Sequence, residues 1–175
     1  MTKGDDVFVN GARVTSVDIP ASNGIIHVID SVMLPEAKSI VDLASEAGSF
    51  NTLLAAATKA GLAEALAGPG PFTVLAPTDD AFAKLPHGTV DSLLKPENRE
   101  ALATILKYHV VPTRAFARDA ITAGNVGTLA EEEIVFSIRD GQLTVNGANI
   151  VATDLDASNG VVHVIDTVLL PASIQ

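Results

Sequence analysis

The sequence predicts an α+β fold, with helices in the first part of a domain packed on an antiparallel meander that closes it. Three observations carry this. Apolar residues recur at helical spacing from about residue 36 to residue 108; from Ile134 onward the spacing drops to two, between turn signals; and a segment near the start of the chain is spelled again near its end.

The repeat sets the domain organisation. "PASNGIIHVIDSVMLP" runs from Pro20 to Pro35, and "DASNGVVHVIDTVLLP" from Asp156 to Pro171. Asn10 aligns with Asn146, His27 with His163 and Pro35 with Pro171 without a gap, and 15 of those 26 positions are identical. Unrelated segments of average composition would share about one or two. A period of this length is that of a whole domain rather than of a solenoid repeat. The expectation is a complete domain over residues 36–175, preceded in residues 1–35 by the closing strands of another copy.

Within that domain, "EAKSIVDLASEAG" gathers Ile40, Val41, Leu43, Ala44 and Ala47 on one broad face and stops at Gly48. Ser49 is expected to cap a second helix, "FNTLLAAATKAG", and "LAEALAG" forms a short third. "GPGP" breaks the helical run, and "FTVLAP" reads as a buried strand because it is short, apolar and bounded by prolines. Thr78 stands at a helix N-cap, with Asp79 and Asp80 in the first turn and Phe82 and Leu85 on the apolar side. A further helix is expected to start near Pro96 and to carry Leu102, Ile105 and Leu106 into "KYHVVP". The strands "IVFSI", "QLTV", "ANIVATDL" and "VVHVIDTVLL" follow, separated by "RDG", "NG" and "DASNG".

Composition excludes several function classes. The chain has 175 residues, 47% of them hydrophobic, and a mean hydropathy of +0.34, which makes a globular chain with an ordinary core. Only 4% are aromatic and none is Trp, so a stacking platform for bases or sugars is not at hand. A net charge of -10 argues against nucleic acid and against anionic membrane surfaces. With no cysteine there is no disulfide, thiolate metal site or cysteine nucleophile. No apolar run approaches the ~20 residues of a transmembrane span, and "MTKGDDVFVN" holds no signal core, so a secretion signal is expected upstream if the native protein is exported.

Three blocks in order and spacing, "PFTVLAPTDDAFAKLP", "LKYHVVP" and "NGVVHVIDTVLLP", resemble the fasciclin domain, and the resemblance covers essentially all of 36–171. It implies a wedge-shaped β-sandwich with helices packed on it, an extracellular, periplasmic or cell-surface location, and a role in adhesion to a protein or matrix partner. The family's Tyr-His interaction motif falls on Tyr108 and His109, with Ile105, Leu106, Val110 and Val111 around them. Residues 1–35 are similar to the final strands of a second such domain, which fits the tandem arrangement of the family.

The remaining polar residues read as architecture. Strand alternation puts His163 and Asp166 on opposite faces, so no relay joins them. Instead a polar tie is expected to unite Thr78 or Asp79, Tyr108 or His109, and His163. Asp79 and Asp80 read as helix-start charges rather than a cation site, and Glu131–Glu133 as a solvated strand approach. No motif of a hydrolase or a phosphate loop is present, so neither catalysis nor a cofactor is expected. Two alternatives to adhesion stand beside it: an aliphatic groove that carries a lipid or pigment, and self-association in which Val28, Ile29 and Val32 take the place of Val164, Ile165 and Val168 in a neighbour.

Overall fold

The computed structural model describes residues 2–3, 6–9, 12–33 and 37–174. The expected junction at Pro35 and Glu36, and Asn10 at the head of the repeat, lie outside the described residues. The chain divides into two compact units, Met1–Pro35 and Glu36–Gln175.

The first unit is a single antiparallel sheet of β1 (Thr2–Lys3), β2 (Asp6–Val9), β3 (Ala12–Ala21) and β4 (Gly24–Ile29), ordered as in the sequence. β4 is the edge. Its pairing with β3 runs Val14↔Ile29, Ser16↔Val28, Ile19↔Ile26, Pro20↔Ile25 and Ala21↔Gly24, with register shifts on either side of Ser16.

The second unit begins with α1 (Ile40–Ala47), α2 (Asn51–Ala60) and α3 (Ala63–Ala67), then β5 (Phe72–Pro77). Ser39 caps α1 through a capping box with Asp42, and Gly48, at φ 67°, ends it in the left-handed conformation that favours glycine. The expected cap of α2 is corrected. Phe50, not Ser49, holds the N-cap position and makes no side-chain bond, and the orphan amides of Asn51 and Thr52 are taken by Asp79 instead, at 3.3 and 2.8 Å.

After β5 come α4 (Asp79–Ala83), α5 (Thr89–Leu93), a 3₁₀ turn over Pro96–Asn98 and α6 (Arg99–Tyr108). Pro96 therefore opens the turn rather than the helix. β6 (Val110–Val111), α7 (Ala117–Ala123), β7 (Asn125–Gly127), β8 (Glu133–Arg139), β9 (Gln142–Val145), β10 (Ala148–Ala157) and β11 (Gly160–Ile165) complete the unit. Neither α5 nor α7 shows in the apolar spacing, because each is too short to repeat it.

The seven-stranded sheet has the order β6-β5-β11-β10-β9-β8-β7. The meander β7 to β11 is antiparallel as expected, but β5 inserts parallel to β11, from Gly160↔Phe72 to Ile165↔Pro77. One buried cluster holds Leu75, Ile165, Ile134 and Val145; another holds Val74, Val162 and Val164 with Ile40 and Phe50 of the helical layer. Neighbouring residues of β5 and β11 thus enter different clusters, and all six residues of β11 are buried.

Candidate functional site

The two hairpins answer each other residue by residue. β10 and β11 pair Ile150↔Ile165, Ala152↔Val164, Leu155↔Val162, Asp156↔Val161 and Ala157↔Gly160. Each partner lies 136 positions beyond its counterpart in β3 and β4, and the register shifts recur at the same places. Asp18 and Asp154 take the left-handed conformation at the second shift, with φ of 57° and 58°, which Asp tolerates better than most residues. The amide left over at each bulge donates to a histidine: Asp18 N to His27 Nδ1, and Asp154 N to His163 Nδ1, both at 3.3 Å. The histidines of the repeat are bulge caps.

What surrounds the two copies differs. Val161 and Val162 are 0% and 4% exposed, whereas Ile25 and Ile26, their counterparts, are 64% and 53% exposed. β11 has β10 on one edge and β5 on the other; among the described residues β4 has only β3.

The Tyr-His segment ends α6 and leads into β6, and its side chains are enclosed. Tyr108 Oη donates to the Glu133 carbonyl at 3.2 Å and accepts from Asn146 Nδ2 at 2.7 Å. Burial, opposed by the Asn146 bond and reinforced by the Glu132 charge, raises its pKa above the ordinary tyrosine value. His109 donates from Nδ1 to the Ile105 carbonyl at 2.8 Å and accepts at Nε2 from Leu169 N at 3.0 Å. Its burial lowers its pKa to about 4 against the opposing pull of the Ile105 bond, so the ring is neutral at pH 7. Ile105, Leu106, Val110 and Val111 are buried with them.

His163 uses its second nitrogen on the Ala115 carbonyl at 3.1 Å, and burial again lowers its pKa. The single polar tie is thereby corrected into separate ones. Thr78 caps α4 through Ala81 N and Asp79 caps α2, while Tyr108 bonds Glu133 and Asn146, His109 bonds Ile105 and Leu169, and His163 bonds Asp154 and Ala115. The blocks do meet, but through the main chain rather than through one side-chain tie: His109 Nε2 accepts from Leu169 N, and Thr78 N donates to the Ile165 carbonyl at 3.3 Å. The Thr52 amide is the main cause of the low pKa of Asp79. Among the described residues no cluster of three His, Asp or Glu gathers as a metal would require.

Three roles escaped the sequence reading. Glu132 is half-buried rather than solvated and accepts from the amides of Ala172 and Ser173 at 2.8 and 3.4 Å. Asp166 grips Asn149 through its amide and side chain, both at 3.0 Å, and Lys84 reaches it from α4 at 3.3 Å. Asn159 accepts from Ile40 N at 3.0 Å and donates to the carbonyls of Leu66 and Gly68 at 2.8 Å, which ties the hairpin turn to the helical layer. The repeated "SNG" was the available signal for Asn159; nothing local marks the partners of the other two.

Two concavities flank the Tyr-His segment. A cleft of about 780 Å³ runs past Tyr108, Glu132, Asn146 and Thr167–Leu170. On the other side an apolar cavity of about 210 Å³ lies among Ile40, Ala44, Leu53, Ala57, Leu66 and Val74, with His109 in its wall. No described helix is long and apolar enough to cross a membrane.

Comparison with known proteins places these features. The family model described as Fasciclin domain matches residues 1–35 and 48–171. Protein sll1483 of Synechocystis sp. is 50% identical over 144 residues, covering 82% of this chain and 79% of that protein. Transforming growth factor-beta-induced protein ig-h3 of Sus scrofa is 37% identical over 169 residues, 95% of this chain but 24% of its own length. A solved FAS1 domain pair from the insect cell adhesion molecule Fasciclin I shares the fold, with a TM-score of 0.70 at 19% identity over 93% of this chain and 60% of that one.

Proposed function

The chain belongs to the fasciclin domain family, and from that premise we propose that it is a non-enzymatic module for adhesion or protein–protein contact, working on the extracellular or periplasmic side, with its N-terminal sheet as the contact face. The observation that carries this is the exposed edge strand: Ile25, Ile26 and Val28 stand open, next to Val32, which is 85% exposed. A large aliphatic side chain contributes roughly 1.5–3 kcal/mol when taken from water to full burial, so a partner that covers this strand gains several such contributions. Unpaired strand edges are also templates for further pairing. The enclosed Tyr108 and His109, with their polar atoms committed within the fold, support architecture over catalysis at that segment.

The test is retention of beads on a surface coated with the full chain. One set of beads carries the same chain and another a fasciclin domain pair. Retention of at least one set, lost when Ile26→Asp and Val28→Asp are introduced together, is expected; retention by neither, or retention indifferent to the substitutions, contradicts the assignment.

A second reading is supported by the cavity of about 210 Å³. The polar groups at its margin are already engaged: Ser45 and Thr58 bond the carbonyls of Val41 and Leu54, and His109 is committed at both nitrogens. Such a site suits a hydrocarbon segment selected by size. Apolar material extracted from the purified chain and identified by mass spectrometry would favour the carrier; a clean extract would count against it.

A further inference from the structure

Resting on the contact-face reading above, we infer that the open edge of β4 accepts one kind of partner: a parallel strand of the β5 type, Phe-Thr-Val-Leu-Ala-Pro, from a fasciclin domain whose own place for a C-terminal hairpin is open.

The chain contains the template. β11, the copy of β4, takes β5 in parallel register, with Val161 opposite Thr73, Val162 opposite Val74 and His163 opposite Leu75. Phe72 N donates to the Asn159 carbonyl at 3.1 Å at one end of that strand, and Thr78 N to the Ile165 carbonyl at 3.3 Å at the other. By the repeat, Ile25, Ile26 and His27 stand in the positions of Val161, Val162 and His163.

Gly24 carries the argument further. A Cβ at its counterpart, Gly160, would run into the Phe72 carbonyl oxygen and, at 2.8 Å, into Ile40 Cδ1, so glycine is demanded there by the approach of β5 and α1. At Gly24 nothing lies within 4 Å. The N-terminal copy therefore keeps the clearance that a β5-type strand needs, on an edge where the described residues supply no such strand.

The polar groups are set in the same way. In the complete domain Asn159 and His163 reach outward from the hairpin to Ile40, Leu66, Gly68 and Ala115. Asn23 and His27 occupy those positions in the first unit, both exposed, and His27 is already held by its Nδ1 at the bulge. A second copy of this chain is a poor donor, because its β5 is already flanked by β6 and β11. The donor is a domain in which that flank is free.

Because the chain has no cysteine, register can be read by a single disulfide. The full chain carrying Ile25→Cys is mixed, under mild oxidation, with a synthetic peptide of Gly70–Thr78 bearing Thr73→Cys or, in parallel, Leu75→Cys. Linkage to the T73C peptide is expected to be at least tenfold faster, and Gly24→Ala in the chain is expected to remove the difference. That second substitution meets no atom in the free chain, so an unchanged melting temperature confirms that it folds. Equal rates for the two peptides, or a rate ratio indifferent to G24A, overturns the inference. Rapid linkage to a full-length chain carrying Thr73→Cys makes a second copy the occupant and overturns it as well. Bead retention that persists when register-specific linkage fails leaves the contact face standing and removes only the strand acceptor.

Discussion

His109 and His163 are held neutral in the complete domain, and this makes its stability depend on pH. His109 is buried, with Nδ1 donating to the Ile105 carbonyl and Nε2 accepting from Leu169 N, and protonation would add charge inside the core and destroy the acceptor. Its pKa falls from 6.5 to about 4 on folding. The unfolded chain therefore binds more protons between those values, so the contribution is complete above about pH 6.5 and is lost progressively towards pH 4. At 1.36 kcal/mol per pKa unit the loss attributable to His109 approaches roughly 3 kcal/mol, and His163 shifts in the same direction. Urea unfolding over this range is expected to show that slope, and His109→Gln to flatten it while lowering stability at pH 7 by about 1–3 kcal/mol. A slope unchanged in H109Q would contradict this account of His109. That His163 is a satisfied core residue was legible from its apolar strand. The identity of its partners was not, because the bulge at Asp154 and the carbonyl of Ala115 are set by chain geometry rather than by local pattern.

At the scale of elements, one glycine substitution placed in both hairpins separates the copies. Gly160→Ala forces a methyl group against the Phe72 carbonyl and is expected to destabilise the complete domain by about 1–3 kcal/mol. Gly24→Ala is expected to leave the melting temperature where it is; a comparable loss from both would show that the first copy is covered as the second is. Thermal unfolding of the two variants decides. The same comparison explains which elements could be read in advance. α1, α2 and α6 are long enough for their apolar spacing to repeat, and the antiparallel strands alternate between turn signals, so all of these were legible. The cap of α2 was not, because Asp79 lies 27 residues beyond the amide it binds. The parallel seating of β5 against β11 was hidden for a related reason: a strand buried on both faces is apolar throughout and carries no sign of its neighbour.

For the whole molecule, the decisive fact is that one hairpin is written twice and, among the described residues, flanked by a β5-type strand once. The duplication was plain in the sequence; that, among the described residues, β4 has β3 as its one neighbour required the sheet order. Gly160, His163 and Val164 are buried in the complete domain, whereas Gly24, His27 and Val28 are exposed in the first unit, so identical residues serve as interior in one place and as surface in the other. Hydrogen exchange of the full chain, with and without the Gly70–Thr78 peptide, tests this most directly. The account predicts slow exchange in β11 under both conditions, fast exchange in β4 alone, and at least tenfold slowing of the β4 amides when the peptide is added. Exchange in β4 that is already as slow as in β11, or that the peptide leaves unchanged, would contradict the claim that this edge is an open contact site.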